Sequence, residues 1–114
     1  ISRLHDIEPV LLTQASRLKD SPDPVIKASL RDLEERQGLP YADYKRLFEA
    51  LNEEIRAVGA ANGVLVIDLA AQIPPEQEYL YDIVHFTAQG SRRAAELIAD
   101  ALLARFPEMF PKQK

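Results

Sequence analysis

Two short segments of the chain are apolar almost throughout, residues 10–14 and residues 64–69. Strands with one solvated face alternate apolar and polar residues, whereas strands buried on both faces form continuous apolar runs. The pattern therefore predicts two strands of a parallel sheet that is covered by helices.

Apolar residues recur at helical spacing in the region between these strands. Asp23 and Pro24 suit an N-cap and first turn, and Gly38 suits a helix end, so we expect an exposed helix between them. A longer helix is predicted from about Pro40 to Gly63. Its apolar stripe consists of Tyr44, Leu47, Phe48, Leu51, Ile55 and Val58.

The second predicted strand is followed by a loop over residues 70–81 and then by a last helix. Thr87 is a suitable N-cap for this helix, and Pro107 closes it. At the two ends of the chain, we expect residues 1–6 to be the last turn of a helix and residues 107–114 to be a tail.

The predicted order strand, helix, helix, strand, helix is an α/β pattern. Two strands form a very small sheet, and the helix stripes need more apolar surface than such a sheet offers. We therefore expect further strands, from a removed upstream portion or from another copy, to complete the sheet. On this interpretation residues 1–114 are the C-terminal part of a single domain whose N-terminal part is absent.

Composition narrows the classes of function. The chain has 114 residues, a formal net charge of −4 and no cysteine. An acidic chain without a basic patch does not suit a nucleic-acid surface, and its apolar runs are too short to span a bilayer. Lack of cysteine excludes disulfides and a thiol nucleophile but leaves the cellular compartment open.

The candidate chemistry lies just before the last helix. Asp82 and His85 are three residues apart, and a tight turn there would bring the carboxylate to Nδ1 of the imidazole. That contact fixes the tautomer and leaves Nε2 to take a proton from a serine hydroxyl. Ile83 and Phe86 would anchor the turn, and Gly90 would permit close backbone approach.

The spacing alone is a weak signal, because Asp-x-x-His occurs by chance in many proteins. The alternative is a non-catalytic α/β module in which both residues serve only loop structure. A metal site is disfavoured because a catalytic zinc needs about three protein ligands and His5 is the only other imidazole. No cofactor is predicted.

The surrounding sequence resembles the C-terminal half of SGNH/GDSL hydrolases, over about residues 4–103. The similarity consists of Asn52 on a helix, a strand ending in Ile67-Asp68-Leu69, and the block Asp82-Ile83-Val84-His85-Phe86-Thr87 with Gly90. It implies a three-layer αβα, flavodoxin-like fold and ester hydrolysis through a serine acyl-enzyme. Asp82 would be the orienting acid and His85 the general base.

The chain also departs from that family's pattern. The Gly-Asp-Ser nucleophile motif and the oxyanion-hole Gly and Asn blocks are absent, so none of the five serines is assigned as the nucleophile. The expected partners are an ester substrate (a small molecule, a lipid or an acylated sugar) and either the missing N-terminal part or a second copy. We expect Asn52 to bind nearby backbone and Asp68 to cap a turn.

Overall fold

The structure is a computed structural model that describes residues 6–110. The predicted helical turn over residues 1–6, apart from Asp6, lies outside the described residues, as does His5. The elements in chain order are β1 (Val10–Leu12), α1 (Pro24–Gln37), α2 (Tyr41–Asn62), β2 (Leu65–Ile67), α3 (Leu69–Gln72), α4 (Ala88–Arg105) and a 3-10 turn (Pro107–Met109).

The two strands form a parallel sheet, as the apolar runs predicted. Val10 pairs with Leu65 and Leu12 with Ile67. Both strands are three residues long and therefore shorter than the apolar runs. The rest of the chain is mostly helical, so the described residues form a mixed α/β structure with a small sheet.

The helix boundaries follow from local chemistry. The Asp23 side chain accepts a hydrogen bond from Val25 N–H at the start of α1, and the left-handed Gly38 ends that helix. Gly63, also left-handed, ends α2. Thr87 caps α4 by accepting from Gly90 N–H. These four predicted boundary residues are confirmed.

Two segments that were predicted to be irregular contain short helical turns instead. Residues directly after β2, expected in a loop, form the single-turn helix α3, because Asp68 C=O accepts from Ala71 and Gln72 N–H. Pro107–Met109, expected in the tail, forms a 3-10 turn that contacts α4. A proline at the first position preorganises such a turn.

The sheet contacts α2 and α4 through different side chains. Gly59 of α2 lies so close to Val66 that an added Cβ would be 2.2 Å from Val66 Cγ2. Ile67 packs in one cluster with Ala94 of α4, and Leu65 lies against that cluster. A second cluster, made of Leu18, Ile26 and Leu30, joins α1 to the connection after β1.

Much apolar surface is left uncovered by the described residues. Leu47, Leu51 and Val58 on α2 and Leu12 on β1 are exposed. The radius of gyration is 16.9 Å, whereas a compact domain of this length has about 13 Å. None of the described helices has the length and apolar character needed to cross a membrane.

Candidate active site

Asp82 and His85 meet in the turn that precedes α4. Oδ2 of Asp82 lies 2.7 Å from Nδ1 of His85. The other oxygen, Oδ1, accepts from the backbone N–H groups of Val84 at 3.0 Å and His85 at 2.7 Å. The carboxylate therefore closes its own turn and orients the ring, which is the contact that the spacing predicted.

The carboxylate is held in its charged form. Desolvation raises the pKa of Asp82, but the N–H groups of His85 and Val84 and the His85 imidazole together keep that pKa below its ordinary value. Asp82 is thus ionised at neutral pH. A negative oxygen beside Nδ1 favours the tautomer with its proton on Nδ1, which leaves Nε2 as the acceptor.

The pair is open to solvent. The side chain of His85 is 65% exposed and that of Asp82 45% exposed. Tyr81 stacks on the imidazole with ring centroids 5.8 Å apart and planes inclined by 16°. Within residues 6–110, Nε2 of His85 has no hydrogen-bond partner. Tyr81 therefore lies beside one face of a ring that is otherwise largely open to solvent.

The base of the turn is built from backbone pairs and apolar anchors. Tyr81 N–H donates to His85 C=O at 3.0 Å, and Thr87 N–H donates to Tyr79 C=O at 3.0 Å. Ile83 packs against the cluster of Leu18, Ile26 and Leu30, and Phe86 packs against the cluster that contains Ile67 and Ala94. Both residues therefore anchor the turn, as expected. These contacts fix both ends of the turn.

Gly90 allows α4 to begin directly beneath this turn. A Cβ at this position would lie 1.9 Å from the carbonyl oxygen of Tyr79 and 3.1 Å from the ring of Phe86. A separation of 1.9 Å is far inside van der Waals contact, so a side chain cannot be accommodated without backbone movement. The predicted close approach at Gly90 is confirmed.

Asn52 and Asp68 tie the strand ends to α2. Asn52 accepts from Gln14 N–H at 2.8 Å and donates to Gln14 C=O at 3.0 Å, which confirms its predicted backbone role. The carbonyl of Asp68 caps α3, but its carboxylate binds Arg56 twice and accepts from Thr13 Oγ1 at 2.7 Å. The side-chain role of Asp68 is therefore an ion pair and not turn capping.

The Arg56 hydrogen bonds lower the pKa of Asp68, desolvation opposes them, and the Thr13 hydroxyl lowers the pKa further. Both partners thus stay charged at neutral pH. This network lies beside a cleft of about 360 Å³ whose lining includes Gln14, Ser16 and Arg56. Neither Asp82 nor His85 lines that cleft. Within the described range, no group of three or more histidine or acidic side chains could hold a metal ion.

Sequence reasoning missed Arg17. Its side chain is 3% exposed and binds Asp23, together with backbone oxygens at the start of the turn. A single arginine between Ser16 and Leu18 gives no periodic signal of burial. Only the packing of the turn and of the start of α1 around this side chain reveals that role.

Comparisons of the chain with protein-family models, with curated proteins and with solved structures found no match. The site is therefore interpreted from its own geometry.

Proposed function

We propose that this chain is the C-terminal part of a serine ester hydrolase, with Asp82 as the orienting acid and His85 as the general base. The nucleophilic serine would lie outside these 114 residues. The observation that carries the proposal is the 2.7 Å contact between Asp82 Oδ2 and His85 Nδ1, combined with the solvent exposure of the ring. This is the geometry that the acid and base of acyl transfer require.

Each residue has a defined step in this mechanism. Nε2 of His85 takes the proton from the serine hydroxyl while its oxygen attacks the ester carbonyl. The resulting imidazolium is stabilised by the charge of Asp82. It then returns the proton to the leaving alcohol, which gives the acyl-enzyme. Water attacks the acyl-enzyme with the same proton transfers, and the acid product and free serine result.

The contacts of the sheet support a three-layer αβα arrangement for the complete domain. Val66 contacts α2, whereas its neighbours Leu65 and Ile67 pack with residues of α4. Successive strand residues point to opposite faces, so these contacts favour one helix on each face. Exposed Leu12 and the α2 residues Leu47 and Leu51 would be buried by further strands and helices.

The test is hydrolysis of p-nitrophenyl acetate by the natural full-length polypeptide that contains these residues. We expect turnover that falls about 100- to 10,000-fold in His85→Ala, because the proton transfer is lost. Asp82→Asn should also lower kcat strongly, since the tautomer is no longer fixed. Glu54→Gln, on the exposed face of α2, is the matched control and should retain full activity.

Two results would contradict the proposal. One is full activity in His85→Ala. The other is robust turnover by the 114-residue chain alone that survives alanine substitution of all five serines. Either would show that the hydrolysis uses other groups.

The second candidate is a non-catalytic assembly module. It is favoured by the exposed apolar residues Leu47, Leu51 and Val58 along α2. Sedimentation of the 114-residue chain discriminates the two. A stable homo-oligomer that dissociates in Leu51→Glu, together with no hydrolysis of p-nitrophenyl acetate by the full-length polypeptide, would favour the module.

A further inference from the structure

Arg17 is a charged residue in an almost fully buried position. Its side chain is 3% exposed, and its backbone lies in the connection that follows β1. A guanidinium loses its hydration when it is buried, so such a group persists only where protein acceptors replace water. The identity of those acceptors therefore shows what the residue holds.

The acceptors of Arg17 are concentrated at one turn. Nη1 donates to the carbonyl oxygens of Leu80 at 3.2 Å and Tyr81 at 3.4 Å. The backbone N–H of Arg17 donates to the carbonyl oxygen of Ile83 at 2.9 Å. Arg17 thus binds the chain on both sides of Asp82, with its side chain before that residue and with its backbone N–H after it.

The remaining hydrogen bond of the Arg17 side chain goes to the start of α1. Nη2 donates to Oδ2 of Asp23 at 2.5 Å, while Oδ1 of Asp23 caps α1 by accepting from Val25 N–H. The hydrogen bond from Arg17 lowers the pKa of Asp23, and the N–H of Val25 lowers it as well. The guanidinium of Arg17 therefore binds both the N-terminus of α1 and the turn.

Tyr81, whose carbonyl oxygen accepts from Arg17, is itself in contact with His85. Tyr81 donates its N–H to the carbonyl oxygen of His85 at 3.0 Å, and the two rings are stacked. The contact between Asp82 and His85 sets the orientation of the imidazole within the turn. The hydrogen bonds of Arg17 set where that turn lies relative to the end of β1.

We propose that Arg17 is a positioning residue that places the Asp82–His85 pair for proton transfer. The inference rests on the proposed function. Nε of Arg17 is buried and has no hydrogen-bond partner among residues 6–110. An unpaired buried donor reduces stability. Stability alone therefore does not account for this arginine, whereas simultaneous contact of Nη1 with the two carbonyl oxygens and of Nη2 with Asp23 needs a guanidinium.

The experiment compares Arg17→Lys and Arg17→Met with the matched control Arg36→Met, whose arginine is exposed and pairs with Asp32 on α1. Hydrogen exchange of the Tyr81 amide is measured in the full-length polypeptide. We expect exchange about 10-fold faster in both Arg17 variants, with α4 amides unchanged, because the turn opens locally. The control should exchange like the parent chain.

Activity of the full-length polypeptide provides the second measurement. We expect Arg17→Lys to lower kcat about 10- to 100-fold because the base is displaced, while KM stays within about twofold. A general loss of fold would instead reduce the active fraction and leave the kcat of the folded molecules unchanged. Active-site titration with a fluorophosphonate, which counts competent serines, separates these cases.

Each outcome decides the inference. Faster exchange at Tyr81 with a lowered kcat per titrated site supports it. Unchanged exchange at Tyr81, or a kcat in folded Arg17→Lys equal to that of the parent, overturns it. If His85→Ala retains full activity, the proposed function has failed instead, and the exchange data still show whether Arg17 holds the turn. Should Arg17→Met fail to fold, Arg17→Lys carries the test.

Discussion

Arg56 holds the carboxylate of Asp68 with two hydrogen bonds, from Nε to Oδ2 at 2.8 Å and from Nη2 to Oδ1 at 2.9 Å. This forked pair joins the C-terminal half of α2 to the residue that follows β2. Among the described residues, no other ion pair links α2 to the segment that follows β2. Its consequences for stability depend on pH.

The Asp68 carboxyl has a lower pKa in the folded chain than its ordinary value of 3.8. The folded chain thus binds fewer protons than the unfolded chain when the pH falls through this range. The stabilisation is fully present above pH 3.8 and is lost as the pH falls through the lower folded value. We expect Asp68→Asn to reduce the free energy of unfolding at pH 7 by about 2 kcal/mol.

Urea unfolding at a series of pH values checks this prediction. The difference between the parent chain and Asp68→Asn should shrink as the pH falls below 3.8. Asp32→Asn is the control, because its pair with Arg36 is exposed on α1 and surface pairs contribute about 0–1 kcal/mol. A difference that stays constant down to strongly acid pH would show that the pair does not carry the effect.

Asn52 is predicted to be sensitive to truncation. Its amide pairs with both backbone groups of Gln14 and is almost completely buried. Asn52→Ala leaves an N–H and a C=O without partners, which should cost about 2–4 kcal/mol for the two groups. Chemical denaturation measures this loss. Glu54→Ala, exposed on the same helix, should change stability by no more than about 0.5 kcal/mol.

Gly90 tests the packing of the turn against α4. Because a Cβ would lie 1.9 Å from the Tyr79 carbonyl oxygen, Gly90→Ala must displace the backbone that accepts from Thr87 N–H. We expect a loss of about 1–3 kcal/mol, typical of overpacking. Thermal unfolding measures it. Equal stability of Gly90→Ala and the parent chain would mean that the turn moves freely.

Ala99→Gly is a suitable contrast to Gly90→Ala. It lies in α4 well away from the turn and should lose only about 1 kcal/mol, the intrinsic cost of glycine in a helix. It should leave the NMR signals of Tyr79 and His85 unchanged, whereas Gly90→Ala should shift both.

The Asp82 carboxyl reports on its histidine partner. The backbone N–H groups of residues 84 and 85 and the imidazole lower the pKa of Asp82 against the opposing effect of desolvation. His85→Ala removes only the ring, so the pKa of Asp82 should rise towards its ordinary value without reaching it. Carbon-13 NMR of the carboxyl during a pH titration measures this shift. An unchanged titration would show that the ring does not bind the carboxylate in solution.

Local chemistry made much of this structure predictable. The caps at Asp23 and Thr87 and the glycine stop at Gly38 depend on a few neighbouring residues, so the sequence was sufficient. The contact between Asp82 and His85 is predictable for the same reason, since three positions separate them. The parallel pairing followed from two short runs that are apolar almost throughout.

The unpredicted side-chain contacts of Arg17 and Thr13 join distant positions. Arg17 contacts residues 63 and 64 positions away, and Thr13 contacts Asp68 over 55 positions. Nothing periodic marks an arginine that will be buried against a turn far along the chain, or an aspartate that will pair with a helix. Such roles depend on how elements pack, and a one-dimensional pattern does not contain that information.

The short sequence separation of Asp82 and His85 has a consequence for how their contact forms. Closing a gap of three residues costs little loop entropy compared with joining positions 55 residues apart. The contact between Asp82 and His85 can thus form within its own turn, whereas the place of that turn depends on Phe86 and Arg17. We therefore expect a substitution in the sheet to displace the turn as a unit while the contact between Asp82 and His85 within it persists.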